Sequence, residues 1–252
     1  MQRPLLTARL ERSYVLSHRT QCFHFEFAVE GVDSFGFVPG QFVSLVANDA
    51  HGKQQTRAYS IASAPDGNRF DLCANRVEGG FFSNRLADMQ VGDKLEFHGP
   101  HGLFTLREPL TDSVLVATGT GIAPMRGFVE YLFPDSGEDR SQGKQIWLIY
   151  GTRHEGERYY SKFFQRVAAE RENFHYITTL SRPHDGWEGL RGYVQDHVAE
   201  IVTEYEATHQ KPENAFGIHA YICGLNEMVA ANRERLKTMG WERKQIIFER
   251  YD

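Results

Sequence analysis

Residues 114–128 read VLVATGTGIAPMRGF, and here residue type and spacing come nearest to a defined chemistry. A short apolar run ends in Thr118, Gly119, Thr120 and Gly121, and Pro124 follows where a helical stripe of Met125, Phe128, Val129 and Leu132 begins. Glycine lets backbone amides approach a bulky anion. A helix N-terminus adds unpaired N–H groups and a positive dipole end, and proline in the first turn sacrifices no hydrogen bond. A diphosphate is the natural ligand. The string is not G-x-G-x-x-G, because Pro124 takes the third glycine position, and no Gly-Lys-Ser/Thr makes it a P-loop. Alone, Gly-x-Gly is as readily a tight strand–helix turn. Thr118, Pro124 and Arg126 beside it favour a bound nucleotide.

Other chemistries are weakly represented. His98 and His101 bracket Gly99-Pro100 with no third ligand evident, and His154-Glu155-Gly156-Glu157 is not H-E-x-x-H, so no metal is expected. No nucleophile elbow stands out. Cys22, Cys73 and Cys223 form an odd, widely spaced set, which suits a reducing compartment better than a disulfide framework. No cysteine spacing suits an iron–sulfur cluster.

The elements that must position these residues change character along the 252 residues. Up to residue 107, short apolar runs are punctuated by Gly31, Gly36, Pro39-Gly40, Asp66-Gly67, Gly79-Gly80, Gly92-Asp93 and Gly99-Pro100, a pattern of many short strands. Phe23, Phe25, Phe27 and Val29 alternate as in a half-buried strand, and Gly99-Pro100 marks a sharp turn. From residue 112, strands at 114–117, 146–150, 176–180, 219–223 and 245–248 alternate with helical stripes. Those stripes run through Met125, Tyr160-Phe163-Phe164-Val167, Val194-Val198-Ile201-Val202-Tyr205 and Leu225-Met228-Val229-Leu236, with surface loops at 134–144 and 206–215. Such alternation implies a doubly wound parallel sheet. Two domains are expected, an antiparallel β-barrel over 1–107 and an α/β nucleotide fold over 112–252. The net charge of −5 argues against nucleic-acid binding. No apolar run approaches the ~20 residues of a membrane span. The first residues carry charges through every apolar stretch, unlike a signal peptide, so a cytoplasmic location is expected.

RAYSIAS (57–63), GGFFSNRL (79–86), GDKLEFHGPHGLF (92–104), GTGIAPMRGF (119–128) and YICGLNEMV (221–229) stand in the order found in ferredoxin–NADP reductase-like flavoproteins, and the chain resembles that family from end to end. The resemblance implies FAD on the barrel and a nicotinamide nucleotide on the second domain. Arg57, Ala58, Tyr59 and Ser60 match the flavin motif: arginine for phosphate, tyrosine for the ring, serine for the ring nitrogen that accepts hydride. Gly79, Gly80, Phe81 and Ser83 match its pyrophosphate turn, with Ser83 also suited to cap a helix beginning at Asn84, and this second phosphate site favours FAD over FMN. Cys223 and Gly224 match the motif beside the nicotinamide, where the thiol is not a covalent nucleophile; Cys22 and Cys73 match none and read as packing residues. Glu249 and Tyr251 resemble a C-terminal Glu-x-Tyr whose aromatic covers the flavin, although Asp252 adds one residue beyond it.

By the same resemblance Ser60, Cys223 and Glu249 surround the reacting atoms, and Thr118 to Gly121, Arg153, Ser181, Arg182, Cys223 and Gly224 hold the nucleotide. Ser181-Arg182, assisted by Arg153 and Arg191, points to the 2′-phosphate of NADPH. WEGLRGYV (187–194), with Tyr193 where some relatives carry a second arginine, keeps NADH open. The implied activity is electron transfer from NADPH to ferredoxin or flavodoxin by a monomer. The alternatives are an NADH-dependent reductase component of an oxygenase and a flavin-binding redox sensor without turnover.

Overall fold

The computed structural model describes residues 4–208 and 217–251. Its first half is a six-stranded antiparallel sheet made of β1 (Leu6–Ser17), β2 (Cys22–Val29), β3 (Phe42–Asn48), β4 (Gln54–Ser60), β5 (Arg69–Asn75) and β6 (Lys94–His101), in the order β4-β3-β6-β1-β2-β5. The two edges meet just past β4, where Ile61 bridges Leu72 and the Ala62 amide donates to Asp71 at 2.8 Å. That contact curls the sheet into a barrel joined at this point, with most of β4 left as an exposed edge. Phenylalanines fill it, with Phe70 lying 5.5 Å from Phe27 and 5.2 Å from Phe97. The helix α1 (Phe81–Asp88) follows β5 and packs Phe82 and Leu86 onto this core.

Two local expectations fail in the barrel. β2 is buried on both faces, because Phe25 and Phe27 face the barrel core while Cys22 and His24 lie under the second half of the chain. The alternating Phe23, Phe25, Phe27 and Val29 all face the barrel core, and a second core covers the face expected to be solvated. Gly99-Pro100 does not end its strand either: β6 runs on to His101, and a register shift against β3 absorbs the irregularity.

The second half is a parallel sheet, β10-β9-β8-β7-β11-β12, with β7 (Asp112–Thr118), β8 (Ile146–Thr152), β9 (Phe174–Leu180), β10 (Leu190–Arg191), β11 (Ile218–Leu225) and β12 (Ile246–Tyr251). α2 (Ile122–Leu132) and α3 (Ser161–Glu170) contribute to the core on one face, α4 (Val194–Thr208) and α5 (Asn226–Thr238) to that on the other. The order reverses between β7 and β11, so their carboxyl ends splay around a crevice where such folds bind ligands.

The helical stripes hold with two exceptions. Leu225 ends β11 and caps α5, with its side chain in solvent. Tyr160 precedes α3 in a left-handed conformation, φ 56°, which costs about 1–2 kcal/mol for a residue with a Cβ. This turn sends its hydroxyl to His24 Nδ1, 2.8 Å away. Residues 134–144 form a loop, as expected, while of 206–215 only the last turn of α4 lies within the described residues. Among the described residues no helix is long and apolar enough to cross a membrane.

Candidate active site

Three strand ends meet at the crevice. From the barrel, β4 terminates in Ser60, which is buried. From the parallel sheet, Cys223 on β11 lies beside Ala117 on β7 and Glu249 on β12, which places Gly224 next to the end of β7 at Thr118. Tyr251, the last described residue of β12, donates its hydroxyl to Ser60 Oγ at 2.7 Å. The chain's final strand therefore reaches back to the strand that carries Arg57, Ala58 and Tyr59, and Ser60, Cys223, Glu249 and Tyr251 come together.

The electrostatics of this cluster follow from burial. Glu249 is pushed up to about 7 by desolvation, and its Oε2 is buried without a hydrogen-bond partner. Burial drives the Cys223 thiol far above its ordinary range, more strongly than the Tyr251 hydrogen bond lowers it. Burial thus favours the neutral thiol of Cys223. Tyr59 is raised to about 12, again by burial, with Arg57 opposing.

On the nucleotide side, a short 3-10 turn over Gly119–Gly121 leads into α2. Gly119 has φ 54°, and a Cβ there would meet nothing within 4 Å, so its open side faces the crevice. At Gly121 a Cβ would stand 2.2 Å from the Cys223 carbonyl oxygen, so only glycine lets the turn lie on β11. The Tyr150 hydroxyl donates to Gly119 O at 3.1 Å and holds the turn from below. No side chain caps α2. The Ile122 amide bonds back to Gly119 O and Thr120 O, so the open face toward an anion is the turn at Gly119 itself.

The cleft has a volume of about 800 Å³, and its walls include Thr118, Gly119, Thr120, Arg153, Ser181, Arg182, Gly224 and Tyr251. The Ser181 and Arg182 amides donate to the Thr152 and Arg153 carbonyls at 3.0 and 2.9 Å, which joins the two arginine-bearing loops. Thr118 Oγ1 is a second buried oxygen with no partner. A buried oxygen left unpaired costs about 1–3 kcal/mol. Thr118 and Glu249 are therefore short of ligand contacts where a nicotinamide and a flavin ring would supply them, and the two uncapped glycine turns suit diphosphates. The residues fit both groups.

Several sequence expectations need revision. Ser83 does not cap a helix at Asn84. α1 begins at Phe81, because Gly79, with φ 69°, completes the turn earlier; Ser83 Oγ accepts from the Val77 amide at 3.2 Å, and the Asn84 side chain donates to Val77 O and Gly80 O. Arg126 does not face the glycine turn but reaches the outer wall of the barrel, at Ala62 O and Asp71. The Arg191 guanidinium donates to Trp187 O at 2.6 Å. Cys22 and Cys73 are buried, as packing residues should be, yet their sulfurs lie 3.6 Å apart, a proximity that 51 residues of separation conceal.

The sequence reading also missed residues. Thr20 and Asn75 of the barrel line the cleft, tied to Tyr159 Oη at 2.7 and 3.4 Å. Glu157 is nearly buried and accepts from Arg153 N, His154 N and Arg19 Nε at 3.2, 3.4 and 3.1 Å. Only tertiary packing brings these groups together; the one local signal was a carboxylate three residues after His154.

Comparison with known proteins agrees with this geometry. Residues 7–106 match the family model described as an oxidoreductase FAD-binding domain, and residues 115–234 match an oxidoreductase NAD-binding domain. The chain is 40% identical over 223 residues to a Ferredoxin--NADP reductase B of Sorangium cellulosum, covering 87% of each chain. It is 28% identical over 221 residues to a toluate 1,2-dioxygenase electron transfer component of Pseudomonas putida, covering 87% of this chain but 60% of that longer protein. A crystal structure of a ferredoxin NADP+ reductase from Neisseria gonorrhoeae shares the fold, with a TM-score of 0.76 at 24% identity and 99% of both chains covered. The barrel, the switch-point crevice and these matches together make the chain a member of the ferredoxin–NADP reductase family of FAD- and NAD(P)-binding oxidoreductases.

Proposed function

We propose that the protein passes electrons from NADPH, through FAD, to a ferredoxin or flavodoxin. The reading is carried by the hydrogen bond from Tyr251 Oη to Ser60 Oγ, which ties the end of the parallel sheet to the flavin strand within reach of Cys223 and Glu249. Bound FAD would supply a ring that takes up hydride and gives electrons back singly. Ser60 accepts from Tyr251 and keeps its own proton for the ring nitrogen. Cys223 stays neutral and fills the floor beside the nicotinamide. Glu249, near 7, holds or yields a proton at that edge around neutral pH. Tyr251, held at the crevice by its bond to Ser60, would lie against the bound ring and would have to yield to the nicotinamide. Arg57 and the turn at Gly79-Gly80 would hold the FAD phosphates, and Thr118 to Gly121 would hold those of the nucleotide.

Arg153 and Arg182 support the preference for NADPH. Both line the cleft, and neither is paired with a carboxylate among the described residues, which leaves two guanidinium groups for a 2′-phosphate. A second reading, the NADH-dependent reductase of an oxygenase, is favoured by the exposed Tyr193 at the same rim and by the Pseudomonas relative. Anaerobic titration of the flavin-loaded protein with each nucleotide separates the two. NADPH should bleach the flavin at far lower concentration than NADH. Equal potency would favour the second reading, and no bleaching by either would refute both. Ferredoxin and flavodoxin are then compared as acceptors by turnover, and a monomer is expected by light scattering.

A further inference from the structure

Helix α2 has two working surfaces. Its N-terminus follows the glycine turn at the cleft, while its flank lies against residues 61–64, the backbone that continues the flavin strand beyond Ser60. Three residues make that contact. Arg126 Nη1 donates to the Ala62 carbonyl and to Asp71 Oδ2, the latter at 2.9 Å. At Gly127 a Cβ would stand 2.8 Å from the Ser63 carbonyl oxygen, so the helix approaches as closely as a glycine permits. Glu130 Oε2 accepts the Ala64 amide at 2.8 Å, and its Oε1 lies 3.4 Å from Arg126 Nη2.

The guanidinium is enclosed. It lies 5.2 Å from the Tyr160 ring and 5.5 Å from the Phe163 ring, and its side chain is 13% exposed. The left-handed turn at Tyr160 sends its hydroxyl to His24, whose Nε2 is 3.4 Å from Asp71 Oδ2. Despite burial, which raises Asp71, hydrogen bonds and charges from His24 and Arg126 hold its carboxyl below the usual range. Glu130 sits farther from the guanidinium, and there burial wins and raises it.

Adhesion does not require this cluster. Cys22, Ala62, Cys73 and Phe104 of the barrel already belong to one continuous apolar core with α2 and α3. Apolar contact is non-directional, and a buried ion pair is often no more stabilising than apolar residues of the same size. A fork that reaches a carboxylate and a backbone carbonyl together fixes direction as well as distance. Ala62 is two residues from Ser60, so a shift of the helix passes straight to the reacting edge.

We infer that Arg126, with Gly127 and Glu130, is a positioning device that sets the separation between the flavin strand and the nicotinamide side of the crevice. The inference rests on the proposed hydride transfer, which needs the reacting atoms about 3–3.5 Å apart. Arg126 touches no reacting atom and acts through Ala62 and α2.

The test uses the full chain loaded with FAD and the variants Arg126→Met, Arg126→Lys and Gly127→Ala. Single-turnover flavin reduction at saturating NADPH should slow by roughly ten- to a hundredfold in Arg126→Met and Gly127→Ala, and less in Arg126→Lys. Affinity for 2′-phospho-AMP, which does not span the crevice, should stay within about twofold. Amide hydrogen exchange should rise at residues 61–64, and the charge-transfer absorbance of nicotinamide over flavin should weaken. Loss of thermal stability with an unchanged reduction rate in the variants that fold would overturn the inference and leave Arg126 a structural residue only. Should Arg126→Met fail to fold, Arg126→Lys and Gly127→Ala carry the same criterion. If the unaltered protein is reduced by neither nucleotide, the proposed function fails instead, a result distinct from any difference between variants.

Discussion

Folding brings the titration of Glu249 into the neutral range. Its carboxyl rises from an ordinary 4.5 to about 7 because burial disfavours the charge. Between those values the folded chain keeps a proton that the unfolded chain has lost, so stability falls as pH rises through the window and levels off above it. In the flavin-free protein, Glu249→Gln should flatten that slope, which amounts to up to about 3 kcal/mol. Denaturant unfolding of both proteins between about pH 5 and pH 8 checks this; parallel slopes would mean that Glu249 titrates normally. Arg182 is tested by nucleotide choice. If it holds the 2′-phosphate, Arg182→Ala should raise KM for NADPH by roughly ten- to a hundredfold, the worth of a charge-assisted hydrogen bond, and leave that for NADH unchanged. Steady-state kinetics with both nucleotides gives the answer.

Among the elements, the glycine turn before α2 separates two uses of one residue type. Gly121→Ala would drive a Cβ to within 2.2 Å of backbone on β11, so the turn must move, which should cost at least 1–3 kcal/mol, as overpacking does, and weaken 2′-phospho-AMP binding. Gly119→Ala meets no neighbour and bears only the left-handed backbone, about 1–2 kcal/mol. Calorimetry of the two variants should therefore rank them in that order. The glycines and Pro124 were legible because local rules govern a strand–turn–helix. Ser83 was misread for a local reason too: Gly79 ends the preceding loop early, and Asn84 takes the carbonyls that a later helix start would have left open.

For the whole molecule, the interface decides behaviour. One apolar core contains barrel residues Cys22, Ala62, Cys73 and Phe104 with residues of the parallel sheet and its helices. Residues 1–107 expressed alone would expose them, and the fragment should bind a hydrophobic dye and melt well below the intact chain. A fragment with intact-chain stability would show the barrel to be self-sufficient. In the full chain, Tyr160→Phe removes the bond to His24 and should lower stability by about 1 kcal/mol, within a single unfolding transition.

The amino-acid sequence by itself determined the two periodicities, the order of strands and helices in the second half, and the glycine turns, because each depends on residues only a few positions apart. Family resemblance added the flavin and nucleotide motifs. Only the tertiary structure decided that Arg126 turns from the phosphates to the barrel, that Thr20, Asn75 and Glu157 line or brace the cleft, and that Cys22 meets Cys73. It also fixed the meeting of Tyr251 with Ser60, 191 residues apart. These contacts bring together segments that no local pattern couples. They exist because the outer wall of the barrel packs against α2, α3 and the turns before them, and carries the polar groups between them into contact.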